Sequence, residues 1–107
     1  MAAIRISAPD TATQGEVIEL KALIRHPMES GFRRGTRGET IPRDIITEFA
    51  CLYNGEPVFT ANFFPAVAAN PFLSFHTVAT ESGSLEFRWT DQHGEVSSET
   101  VTLTVEP

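Results

Sequence analysis

An alternation of apolar and polar residues limits the fold of this chain more tightly than any other feature. In the stretch EVIELKALIR, Ile18, Leu20, Ala22 and Ile24 share one parity, while Glu19, Lys21 and Arg25 share the other. Successive side chains on an extended backbone point to opposite faces, so this spacing builds a strand with one face buried and one face wet. The same period recurs along the chain. AIRISA alternates around Ile4 and Ile6, DIITEFACLYN aligns Ile45, Thr47, Phe49, Cys51 and Tyr53, and SGSLEFRWTD aligns Leu85, Phe87 and Trp89. EPVFTANF comes after DIITEFACLYN across Asn54-Gly55, a pair that accepts the positive φ angles of a tight hairpin turn. PFLSFHTVAT and VSSETVTLTVEP complete the set. In the last run Val96 is out of step with Val101, Leu103 and Val105, which predicts a bulge near Ser97-Ser98.

Seven or eight short strands and no helix in 107 residues predict one all-β domain over residues 1–107. An antiparallel, immunoglobulin-like β-sandwich fits this spacing, with barrel closure as the alternative. The expected core is Ile6, Ile18, Leu20, Ala22, Phe49, Cys51, Tyr53, Phe75, Leu85, Phe87, Trp89, Val101 and Leu103. Two connections stand out for length, residues 26–43 and 63–71.

Charge limits the partners. A net charge of −6 argues against nucleic acid and anionic membrane, which both need cationic surface. No apolar run approaches the roughly 20 residues that span a bilayer, and MAAIRISAPD lacks the apolar stretch of a secretory signal, so the sequence by itself reads as cytoplasmic.

Chemistry-bearing residues are few. Cys51 is the sole cysteine, so no internal disulfide forms, and its parity with Phe49 and Tyr53 places it inward as a small hydrophobe. The rival reading is a reactive thiol of a sulfur-transfer protein, which needs an exposed thiolate beside a cationic group. His26, His76 and His93 have no spacing of a metal or acid–base motif, and no Gly-rich phosphate loop or nucleophile elbow occurs. No catalytic residue, metal ligand or cofactor is assigned on these grounds.

Two connections remain as binding candidates. HPMESGFRRGTRGETIPR and the residue before it carry Arg25, Arg33, Arg34, Arg37 and Arg43, five of the eight basic residues, together with three glycines. A mobile, solvated connection is one reading. The other is a contact of Arg33, Arg34, Arg37 and Arg43 with an acidic partner or a small anion, since guanidinium matches oxyanions in bidentate geometry. The second connection, NFFPAVAANPF, is apolar but broken by prolines. It either folds back over an open end of the sandwich or covers another protein through Phe63, Phe64, Pro65, Val67, Asn70, Pro71 and Phe72.

IELKALIRHPMESGFRR, IPRDIITEFACLYNGEPVF, PAVAANPFLSF and LEFRWTDQHGE together resemble the SoxZ family of bacterial sulfur oxidation over nearly the whole chain. HPMESG and AANPF are the most specific parts, while residues 32–39 look individual. The resemblance implies an immunoglobulin-like sandwich that pairs with SoxY as the non-catalytic half of a sulfur carrier. SoxY holds the substrate sulfur on a cysteine in a glycine-flanked arm near its C-terminus, and neighbouring Sox enzymes act on it during oxidation of thiosulfate or other reduced sulfur compounds. This chain ends TLTVEP, without such an arm. The resemblance also implies a periplasmic location, reached by co-export with the signal-bearing partner, and an exposed apolar patch implies a homodimer when the chain is isolated.

Overall fold

The computed structural model describes residues 3–107. They form eight strands: β1 (Ile4–Ser7), β2 (Thr11–Thr13), β3 (Val17–Ile24), β4 (Ile46–Tyr53), β5 (Glu56–Asn62), β6 (Phe72–Val78), β7 (Gly83–Asp91) and β8 (Val96–Glu106). Two sheets result, a three-stranded one in the order β1-β3-β6 and a five-stranded one in the order β2-β8-β7-β4-β5. The architecture is the expected immunoglobulin-like sandwich. It is antiparallel except where β2 runs parallel to β8. The first run of the chain divides at Ala8-Pro9-Asp10, so that β1 joins one sheet and β2 the other. Asp10 keeps the crossing tied down by accepting a bond from the Thr104 N–H at 2.9 Å.

The alternating faces meet in the middle. Ile18, Leu20, Ala22 and Ile24 of β3 and Phe75 of β6 cover Phe49, Cys51 and Tyr53 of β4, Leu85, Phe87 and Trp89 of β7, and Leu103 of β8. Phe49 lies at the centre, with ring centroids 5.0 Å from Trp89, 5.8 Å from Phe75, 6.1 Å from Phe59 and 6.4 Å from Phe87, and all four pairs tilted or edge-on. These offset geometries are the favourable ones for aromatic quadrupoles. Ile6 and Val101, expected inside, are half-buried at the margin of this cluster.

Two details of register differ from strict alternation. The β4–β7 ladder slips between Ile46 and Glu48, so Ile45 and Ile46 are both buried although they are consecutive. A bulged residue changes the parity of the residues beyond it, and periodicity alone does not reveal where that happens. The predicted bulge at Ser97-Ser98 is absent: β7 and β8 stay in register from Gly83↔Leu103 to Thr90↔Val96, and Val96 is simply exposed. A second slip, in the β4–β5 ladder, falls between Cys51 and Leu52. The Asn54-Gly55 hairpin forms as expected, with φ of 50° and 85° at its two turn residues.

Tyr53 joins β4 to the β6–β7 turn. Its hydroxyl accepts the N–H groups of Thr80 at 3.2 Å and Glu81 at 3.1 Å and donates to the Glu81 carbonyl. Replacing Tyr53 with Phe keeps the ring and strands these groups. The expected cost in urea unfolding is about 1–3 kcal/mol, with an unchanged m-value. A loss below about 0.5 kcal/mol would show that water replaces the hydroxyl without penalty.

Candidate functional site

The apolar connection between β5 and β6 divides into anchors and exposed residues. The Phe63 N–H donates to the Thr47 carbonyl at 2.8 Å, and its side chain, 7% exposed, joins the core. The chain then turns through Phe64-Pro65-Ala66-Val67, closed by the Val67 N–H on the Phe64 carbonyl at 3.0 Å. This turn leaves Phe64 64% exposed and lays Val67 partly against the core. Asn70 adopts φ of 53° and grips the end of β3 from both sides: its N–H donates to the His26 carbonyl at 2.8 Å and its Oδ1 accepts the His26 N–H at 2.9 Å. Pro71 is buried, and Phe72 emerges 57% exposed. Between Ala61, Phe63, Val67, Asn70 and Phe72 lies an open cleft of about 560 Å³.

Of the residues expected to contact a partner, Phe63 and Pro71 are buried, and they meet the cleft only as part of its lining. Phe64, Asn70 and Phe72 are exposed, and Pro65 and Val67 are half-buried between them. The segment folds back over the sandwich and presents two aromatic rings to solvent.

The arginine-rich connection is largely exposed, and its two sides are joined by backbone bonds. Backbone bridges pair Glu29 with Asp44 and Arg34 with Thr40. The first consists of two 2.8 Å bonds, and the Ile41 N–H donates to the Arg33 carbonyl at 2.9 Å, so residues 29–44 form a closed tongue. Met28 pins its root. The Met28 side chain is buried, and its Sδ accepts the Ile46 N–H at 3.3 Å. The nearby Phe32 is exposed, an apolar surface residue hidden from periodicity inside a polar run.

The tongue's arginines do not converge. Arg33 donates three bonds of 3.0–3.1 Å to the Glu29 carboxylate, and these bonds together with the Glu29 charge raise its pKa above the ordinary guanidinium value. Arg34 donates to the Gly38 carbonyl at 2.9 Å, and Arg43 to Gln92 Oε1 at 3.0 Å. Arg37 contributes its backbone N–H to Glu39 Oε2 at 3.0 Å. Three of the four guanidiniums are thus committed to separate internal partners. An anion pocket made by all four is not formed.

Cys51 lies in the core with 0% exposure, opposite Phe87 on one side and Phe59 on the other. Burial pushes its pKa up to about 12, because an apolar surround penalises the thiolate. The histidines remain apart from it. His26 accepts the Met28 N–H on Nδ1 at 3.0 Å and turns Nε2 to within 3.7 Å of Asp44, which His93 approaches at 3.8 Å; His76 lies 3.8 Å from Glu19. Among the described residues, no three His, Cys, Asp or Glu side chains gather into a group that could hold a metal ion.

The fold recurs in proteins of diverse description. Superoxide reductase (neelaredoxin) from Ignicoccus hospitalis superposes with a TM-score of 0.74 at 16% identity, over 96% of this chain and 79% of that one. The sulfur carrier protein SoxY from Chlorobium limicola f thiosulfatophilum superposes with a TM-score of 0.69 at 16% identity, over 98% and 80% of the two chains. A CARDB domain from Pyrococcus furiosus gives 0.54 at 15% identity, over 99% and 94%. Identities this low establish shared architecture and nothing of chemistry. No curated protein matches the chain in sequence. The family described as sulphur oxidation protein SoxZ does match, across residues 4–102. That span takes in β1 to β7, most of β8, the tongue and the apolar connection, and the chain belongs to the SoxZ family.

Proposed function

We propose that this protein is the non-catalytic subunit of a sulfur-substrate carrier, forming a heterodimer with SoxY, whose cysteine arm holds the sulfur intermediates of thiosulfate or reduced-sulfur oxidation. Family membership supports a role in sulfur oxidation. The observation that carries the division of labour is the sealing of Cys51: the one thiol is held inside the aromatic core, protonated far above neutral pH. The covalent sulfur chemistry then falls to a partner's cysteine. The SoxY fold is also a sandwich of this kind, so the complex would join two domains of like architecture. Transient contacts with other Sox enzymes follow from the same reading, as does a periplasmic location reached by co-export with a signal-bearing SoxY.

The surface proposed for SoxY is the exposed part of the β5–β6 connection: Phe64, Pro65, Val67, Asn70 and Phe72. Exposed aromatic rings beside a cleft have the composition of interface hot spots. Without SoxY, the same rings would bring two copies of the chain together. Phe63 and Pro71 support this surface from beneath.

Mixed with SoxY in size exclusion, Phe64→Asp and Phe72→Asp are expected to weaken co-elution by about tenfold or more in Kd, about 1.4 kcal/mol or above, while the isolated chain keeps its Tm within a few degrees. Phe63→Asp, by contrast, places a carboxylate in the core and lowers Tm sharply before any complex is tested. Unchanged co-elution of both exposed variants would remove this connection from the interface. Separately, Cys51 is expected to react with a thiol reagent at about pH 8 only after denaturant is added. Rapid labelling of the folded chain would favour the rival thiol-transfer role.

A further inference from the structure

We propose a binding cleft for a small sulfate-like oxyanion on the outer face of the three-stranded sheet, formed by Arg5, Arg25 and Asn70 around Leu23. The register assembles it. Arg5 of β1 lies opposite Leu23 of β3, which lies opposite Phe72 of β6. The Arg25 N–H continues the β1–β3 ladder by donating to the Ala3 carbonyl at 2.9 Å. Arg25 is thus the diagonal neighbour of Arg5 on the same face, where same-face diagonal positions stand about 7–8 Å apart, within reach of two long side chains closing on one ligand. Asn70 enters from the β5–β6 connection, fixed by its paired bonds to the His26 backbone. Together Arg5, Leu23, Arg25 and Asn70 line an open cleft of about 460 Å³.

The electrostatics of this cleft differ from those of the tongue. Among the described residues, every ion pair within 4.0 Å involves other cations: Lys21, Arg33, Arg88 and the histidines. Arg5 and Arg25 are exposed and have no carboxylate partner among the described residues, on a protein whose net charge is −6. The side-chain amide of Asn70 spends its oxygen on the His26 N–H, which leaves its NH₂ group as the donor on offer to the cleft. Two guanidiniums and one amide then supply donors around Leu23, and each guanidinium fork matches an oxyanion in bidentate geometry. A tetrahedral dianion has enough oxygens to engage both guanidinium forks and the amide at once, whereas a single carboxylate has two. The inference stands on Arg5, Arg25 and Asn70 alone and does not rest on the SoxY reading.

The test is an NMR titration of the ¹⁵N-labelled full chain with sodium sulfate, at ionic strength held constant with sodium chloride. Saturable shifts are expected at Arg5, Leu23, Arg25 and Asn70 and at the two arginine side-chain N–H groups. Arg5→Gln and Arg25→Gln each weaken the apparent affinity by about tenfold, the double variant abolishes saturation, and Arg37→Gln in the tongue leaves it unchanged. Because both arginines are exposed, spectra elsewhere in these variants are expected to overlay the parent, which separates loss of the site from loss of the fold. Linear, non-saturating shifts, or saturation that survives the double variant, would overturn the site. Saturation with sodium acetate but not with sulfate would also overturn the assignment, by showing a carboxylate site instead.

Discussion

The two sheets meet through Phe49, and the remaining features of the molecule rest on that contact. Phe49 stands on β4, inside the larger sheet, and meets Phe75 of the smaller sheet while touching Phe59, Phe87 and Trp89 of its own. Phe59 and Phe75 stack in parallel at 4.4 Å across the seam between β5 and β6. This cluster sets the separation of the sheets and closes the sandwich on the side where the β5–β6 connection departs. Cys51 is two residues along the same face, so the packing that makes the fold also removes the thiol from chemistry. The candidate binding clefts lie at the surface, outside this cluster.

Periodicity made most of this legible. β3 and β7 alternate without a break, and their inward residues are the ones buried. The Asn54-Gly55 turn fixed the β4–β5 hairpin because both residues tolerate positive φ. Where periodicity failed, a local constraint replaced it. β2 is three residues long and mostly polar, and it exists because β8 offers it a free edge. Ile45 and Ile46 are both inside because a register slip resets the parity. Met28 is buried from within a loop, held at φ of 49° with its sulfur on the Ile46 N–H, and no spacing rule reads that.

The candidate surfaces were legible as segments and not as side chains. The run from Phe63 to Phe72 reads in sequence as one largely apolar segment, yet Phe63 and Pro71 face in while Phe64 and Phe72 face out. Only the turn at Phe64–Val67 and the grip of Asn70 on His26 determine which is which. The arginines counted by sequence proximity are dispersed by their partners in the tongue. Arg25 alone leaves that group, and it is joined by Arg5, remote in sequence and adjacent across the β1–β3 ladder. Pairing between strands brings together residues that a linear reading keeps apart.

In the proposed role, this SoxZ-family chain serves a partner's cysteine and uses none of its own. Native mass spectrometry of the complex purified from its host, combined with intact-mass analysis of each subunit, decides the matter. One copy of this chain is expected with one copy of SoxY, with sulfur adducts confined to the SoxY cysteine and Cys51 unmodified. A sulfur adduct on Cys51, or a chain recovered only by itself, would refute that role.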